Sequence, residues 1–210
     1  NQKVIIGYAK ATTTGEAVVG TVSGTSISFG SSVQFYSGNT NFFYTSMAYD
    51  SNAQKVVIAY SDYANSSHGT AIVGDVSGTS ISFGSAVVFE AANTSYISSS
   101  YSEAANSVVI AYTDAGNSNY GTASIGTVSG TSISFETPLV FNNNTSYFSA
   151  AVYDEGAGKT VISYRDDGNS SSGTAKVLQV AATTRGQVNA GSSGTVDIIG
   201  SVSTNQSGLT

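Results

Sequence analysis

The stretch VSGTSISF stands at Val22–Phe29, at Val76–Phe83 and at Val128–Phe135, unchanged in all eight letters. Its surroundings repeat with it. VVIAYSD (Val56–Asp62) returns as VVIAYTD (Val108–Asp114) and as TVISYRD (Thr160–Asp166), each 52 residues after the last, and KVIIGYAK (Lys3–Lys10) is an earlier copy. The octapeptide itself recurs after 54 and then 52 residues, because the loop in the later copies is two residues longer. A fixed period of this length marks a repeat architecture, and it constrains the fold before any local propensity is weighed.

Four strand-like runs fill each period. The first is small, polar and aromatic: Phe42–Asp50, Tyr96–Glu103, Tyr147–Asp154. The second, VVIAY, is nearly continuous in apolar residues, which predicts a strand covered on both faces. The third, Thr70–Val76, leads into the SGTS turn. In the fourth, Ile27, Phe29, Val33 and Phe35 share one parity, as do Ile81, Phe83, Val87 and Phe89, and Ile133, Phe135, Leu139 and Phe141. That alternation predicts a strand with one buried face. SGTS joins the third strand to the fourth, and a hairpin's register is set by its turn. A slip of one residue would expose both phenylalanines, each worth about 1.5–3 kcal/mol when buried. The repeated identity is therefore read as a register constraint.

The expectation is an all-β chain, a β-propeller-like array of four-stranded antiparallel blades with a repeat of about 52 residues. Four units are counted, about 1–38, 39–91, 92–143 and 144–182, the first and last incomplete. Residues 183–210 read as a linker around a strand at Thr195–Val202 and as the start of a separate small β module. The sole proline, Pro138, falls on the polar parity of the fourth strand, which places that strand at the outer edge. A four-bladed ring would close if the tail after Thr184 supplied the missing edge, and an arc of a longer propeller fits the count equally well. A β-sandwich of the same strands would not require a strict repeat.

Composition agrees. The chain holds 23 Gly, one Pro, no Cys and no Trp, and only 10% of its residues are charged. Its Val, Ile, Thr, Tyr and Phe favour pleated surfaces, while Gly, Ser and Asn favour turns. A net charge of −6 with seven Lys and Arg lacks the basic stripe that a nucleic acid would require. No run approaches the roughly 18 apolar residues of a membrane span, and no cleavable leader pattern opens the chain. Without cysteine there is neither a disulfide scaffold nor a thiolate metal site. A surface poor in Lys and Glu but rich in Ser, Thr and Asn suits an extracellular or virion-exposed protein.

The pattern Y-x-D-x-x-N-S-x-x-G-T-A, carrying Asp62, Asp114 and Asp166, is similar to the Asp box of sialidase propeller hairpins, without its aromatic ending. Asp and Asn bond their own backbone in turns, so these residues read first as hairpin formers. Calcium at Asp62, Asp114 and Asp166 is the alternative, with one carboxylate per loop. A sialidase would need paired carboxylates and an arginine cluster, and the chain has only Arg165 and Arg185. Asp50, Asp154 and Glu155 are the candidates for a neutral-sugar hydrolase. However, Asp50 and Asp154 lie 104 residues apart, two periods, and so read as equivalent turn positions. His68 is the only histidine, and no nucleophile, phosphate-loop or zinc motif is present. The chain is read as a non-enzyme without a cofactor.

Framework positions repeat while loop tips vary. Tyr63 and His68 become Ala115 and Tyr120, then Asp167 and Ser172. Variable tips on a rigid scaffold are where binding usually sits, and Tyr offers both a stacking face and a hydroxyl. Tyr63, His68, Tyr120 and Asp167 are accordingly the binding candidates. Unselected drift at exposed loops is the competing reading.

GTAIVGDVSGTSISFGSAVVF (Gly69–Phe89), with KVVIAYSD (Lys55–Asp62), resembles a repeat of tail-fibre-like and other structural proteins of tailed bacteriophages, marine ones especially. The closing DIIGSVSTNQSGLT (Asp197–Thr210) resembles the start of a module that follows such repeats. The resemblance implies a virion or appendage component displaying propeller blades, homo-oligomeric with its fellow subunits, that attaches to host-surface glycans. It supplies no catalytic residues. Because the chain starts and stops within units, it is expected to be a piece of a longer protein. The alternatives are a secreted bacterial adhesin or filament subunit, and a glycan-degrading propeller enzyme.

Overall fold

The computed structural model describes residues 3–10, 14–38, 44–180 and 202–203. Among these the regular structure is antiparallel β throughout, apart from single 3-10 turns, and no helix is long and apolar enough to cross a membrane. Unit 1 contains β1 (Lys3–Lys10), β2 (Thr14–Ser23), β3 (Ser26–Phe29) and β4 (Val33–Ser37). Unit 2 contains β5 (Thr45–Asp50), β6 (Lys55–Asp62), β7 (His68–Ser77) and β8 (Ser80–Phe83), and then enters β9 (Val87–Ser102). Unit 3 continues with β10 (Ser107–Asp114), β11 (Tyr120–Ser129), β12 (Ser132–Phe135) and the start of β13 (Leu139–Asp154). Unit 4 adds β14 (Lys159–Asp166) and β15 (Ser172–Leu178).

One feature of strand connection was not anticipated. The fourth strand of one unit runs on into the first strand of the next. The start of β9 pairs with β7, and its remainder pairs with β10; β13 bridges β11 and β14 in the same way. The expected unit boundaries at 91/92 and 143/144 therefore fall inside continuous strands. The tail beyond 182 lies outside the described residues except for β16 (Val202–Ser203). This strand pairs Val202 with Leu178, the place that Phe83 takes opposite Gly74 in unit 2.

The octapeptide forms the expected hairpin. Ser77 pairs with Ser80 around Gly78 and Thr79, and Gly78 has φ 62°, the geometry of a two-residue turn that opens on glycine. Beyond the hairpin the fourth strand departs from simple alternation. In unit 2, Phe83 pairs with Gly74 and Val87 with Ala71, so three residues oppose two, with the Gly84 N–H donating to the Val73 carbonyl at 3.0 Å. A second irregularity leaves Phe89 opposite no partner, between Val88 and Glu90. Such bulges re-aim side chains. Pro138 lies in the corresponding gap of unit 3, where it interrupts no ladder.

These bulges correct the one-face reading of the fourth strand. We call the side of each unit toward the preceding unit its front and the side toward the following unit its back. Ile81 and Phe83 lie on the front of unit 2, and Phe83 meets Phe35 of unit 1 with ring centroids 5.7 Å apart. Phe89 lies on the back and meets Phe135 of unit 3, again at 5.7 Å. Units 1, 2 and 3 thus each carry one phenyl ring on the front and one on the back.

Three seams make the core. Phe35, Val56, Ile58 and Tyr60 fill the first; Val57, Phe89, Ile110 and Tyr112 the second; Val109, Phe141, Ile162 and Tyr164 the third. Adjacent residues of the VVIAY run face opposite seams, which is why that run lacks alternation. Two glycines record the fit. A Cβ on Gly30 would overlap the Thr79 carbonyl oxygen of the next unit's turn, and one on Gly84 would overlap that of Thr131. The octapeptide and the glycine after it are therefore held by docking between units as well as by register.

The described strands form no closed barrel or ring. Among the described residues, no unit covers the front of unit 1. Ile27 and Phe29, expected to be buried, are consequently exposed, while their counterparts Ile81 and Ile133 are buried.

Candidate functional site

At one end of the strands lie the three hairpins that carry the Asp pattern. In each, an aspartate caps a single 3-10 turn. Asp62 accepts from the N–H groups of Ala64 and Asn65 at 3.0 and 3.2 Å, Asp114 from Gly116 at 2.9 Å and Asp166 from Gly168 at 3.0 Å. Ser66, Ser118 and Ser170 then take left-handed φ of 55°, 56° and 53°, which returns the chain into the next strand. Short polar side chains that bond the local backbone suit such turns. Among the described residues no three His, Asp or Glu side chains gather as a metal site would require. Asp62, Asp114 and Asp166 each bond their own loop, and Asp62 also accepts from Tyr36 of unit 1.

Asp50 and Asp154 have the same kind of role at the opposite end. They accept from Ala53 N–H at 2.8 Å and Ala157 N–H at 3.0 Å in the turns that follow them. Glu155 is an exposed residue of the second turn.

The loop-tip candidates separate into two pairs. His68 and Tyr120 are equivalent positions that open β7 and β11, where they pair with Asn93 and Thr145 and are half-buried. Tyr63 and Asp167 instead border a row of aromatic rings that the strand reading did not single out. Tyr44, Tyr96 and Phe148 occupy one position in units 2, 3 and 4. Tyr96 stands edge-on to Tyr44 at 5.0 Å and to Phe148 at 4.7 Å, and Tyr147 joins the row 5.4 Å from Tyr96. Burial, the Tyr96 hydroxyl and nearby Tyr63 all raise the Tyr44 pKa.

One end of this row carries charge. The Arg165 guanidinium lies 4.7 Å above the Tyr147 ring and 5.5 Å from that of Phe148. It donates twice to Asp167, Nε to Oδ1 at 2.8 Å and Nη2 to Oδ2 at 3.2 Å. The Ser171 hydroxyl donates to the same Oδ1 at 2.9 Å. The bonds from Arg165 and then Ser171 hold the Asp167 carboxyl below the usual carboxylate range. Tyr96 and Phe148 have φ of 50° and 55°, unusual for large side chains, and both sit where the first strand bulges against its neighbour. Bulky residues held in the left-handed region are strained, and such strain clusters at functional sites. Phe148 is 60% exposed at the end of the row.

This arrangement offers rings, hydroxyls and one fixed guanidinium–carboxylate pair on a single surface. Its signal was present in the sequence as an aromatic residue at the same place in three units. It was obscured because those residues lie in the first strand and not at the loop tips.

The seams supply a contrasting use of the same chemistry. Tyr36 donates to Asp62 at 2.6 Å, and burial together with that carboxylate pushes its pKa up to about 12. Tyr112 donates to Glu90 at 3.0 Å, and Glu90 is raised above its ordinary value by burial and by the charge of Asp114. An open cleft of about 800 Å³ lies between units 1 and 2, lined by Ile5, Met47, Val56 and Val76, with Lys55 and Asp75 paired at 3.0 Å on its rim. Comparison of the chain with protein-family models, with curated proteins and with solved structures finds no match.

Proposed function

We propose that the chain is a non-enzymatic, propeller-like display module of a tail-fibre-type virion protein, and that it binds a cell-surface glycan along the aromatic row. The observation that carries the glycan reading is the ladder Tyr44–Tyr96–Phe148, capped by Arg165 and Asp167 and strained at two of its three rings. An aromatic face takes the apolar side of a pyranose, while the flanking hydroxyls and charged groups bond its hydroxyls. Short turns that hold the loops supply the rigidity such a surface needs. The propeller reading rests on the front-to-back succession of four similar units. The virion setting rests on the resemblance of the repeat to tail-fibre-like proteins.

The test is a glycan array followed by titration of any ligand found. Tyr96→Ala and Phe148→Ala are each expected to weaken binding at least tenfold, while Tyr120→Ala leaves it within about twofold. Equal affinity of all three variants, or release of new reducing ends from the bound glycan, would overturn the proposal.

A further inference from the structure

The three seams repeat one packing scheme, but the third is lined differently from the second. On the front of unit 3, Ile97, Val108, Ile110 and Tyr112 face the seam with unit 2. Ser149, Thr160, Ile162 and Tyr164 hold the same places on the front of unit 4, 52 residues later. Two apolar side chains of the second seam are thus replaced by hydroxyls in the third. Among the described residues, three buried side-chain polar atoms have no hydrogen-bond partner: Ser149 Oγ, Thr160 Oγ1 and Tyr164 Oη. All three belong to this one face. A buried hydroxyl without a partner has lost its water and gained no bond in return, which weakens the packing that encloses it.

The tyrosine of each front shows how the difference arises. Tyr112 donates to Glu90 of unit 2 at 3.0 Å and shares a bond of 3.1 Å with the Ser124 hydroxyl. In the third seam Asn142 takes the place of Glu90, and Lys176 that of Ser124. Asn142 turns away, its Nδ2 donating to Ser146 Oγ at 2.9 Å. Tyr164 is left sealed, 4% exposed, with its hydroxyl unbonded. A docked turn is lost as well. Gly30 and Gly84 lie against Thr79 and Thr131 of the following unit, whereas the sequence of unit 4 has no SGTS to meet Glu136.

The strand contacts of the two seams are otherwise alike. Ser46 Oγ accepts from the Ser99 N–H at 2.9 Å, and Ser98 Oγ accepts from the Ala151 N–H at 2.9 Å. Thr94 N–H donates to the Ser67 carbonyl at 3.0 Å, and Ser146 N–H to that of Asn119 at 3.0 Å. The hydroxyls and the turn are what set the third seam apart.

We propose that the third seam is the joint at which the array opens: unit 4 parts from unit 3 while the first two seams stay closed, and β13, which runs through both units, tethers them. Nearest-neighbour contacts hold such arrays together, so the seam with the least favourable lining opens first. Opening returns water to three hydroxyls that docking had stripped. Tyr96 belongs to unit 3 and Tyr147 and Phe148 to unit 4, so this joint also divides the aromatic row.

Native-state hydrogen exchange on the whole chain tests the proposal. Amides of β14 are expected to exchange at least about tenfold faster than those of β6 and β10. Thr160→Val and Tyr164→Phe each remove only a partnerless hydroxyl, and each is expected to slow exchange in β14 by about fivefold while β6 and β10 stay unchanged. Tyr112→Phe removes a bonded hydroxyl and is expected to quicken exchange in β10 by about fivefold. The slowing is the decisive readout, because it ties the opening to the hydroxyls. No ligand enters the experiment, so its result is independent of the glycan reading. Amides of β14 that exchange no faster than those of β10, or that neither variant slows, would overturn the proposal, as would a Tyr112→Phe that slows exchange in β10.

Discussion

Ile58 and Ile6 hold one position in successive units, yet Ile58 is fully sealed and Ile6 is 39% exposed. The same contrast separates Gly84 from Glu136, which occupy one position in units 2 and 3. Gly84 lies against the Thr131 turn, and a side chain there would overlap backbone. The position of Glu136 precedes unit 4, whose sequence has no SGTS. A repeat unit therefore specifies which way a residue faces, while its neighbour decides what that residue is worth. Stability in such arrays is a sum of unit and nearest-neighbour contributions.

Two pairs of substitutions sharpen this comparison. Ile58→Ala empties a sealed site between units 1 and 2 and is expected to cost about 3 kcal/mol, whereas Ile6→Ala is expected to cost about 1 kcal/mol. Chemical denaturation of the two variants measures the difference, and equal losses would break the comparison. The glycine pair comes next in size. Gly84→Ala forces apart the strand and the next unit's turn, at an expected cost of about 2 kcal/mol, while Glu136→Ala is expected to stay within about 0.5 kcal/mol. A tolerated Gly84→Ala would mean that the turn is not held where the seam requires it.

Much of this was legible in the sequence. The 52-residue period, the four strands of a complete unit and the turn at SGTS follow from letters and parity, and the capping by Asp62, Asp114 and Asp166 follows from turn chemistry. The facing of the two phenylalanines did not. Parity alone put Phe83 and Phe89 on one side, and only the irregular pairings between them send the rings to opposite seams. A bulge changes the count by one residue without changing composition, so alternation cannot reveal it. The candidate site was missed for a related reason. Tyr96 and Phe148 sit in strand-like sequence, and it is the positive φ at each, within a first-strand bulge, that aims them into one row. Of the loop-tip residues, Asp167 joins that row through Arg165, and Tyr120 instead begins a strand.

The central claim is that successive units dock front on back through paired phenyl rings. A double-mutant cycle on Phe35→Leu and Phe83→Leu, across the first seam, tests it most directly. A coupling of about 0.5–1.5 kcal/mol is expected from the ring contact. Losses that add without coupling would contradict it, because the two rings would then not touch.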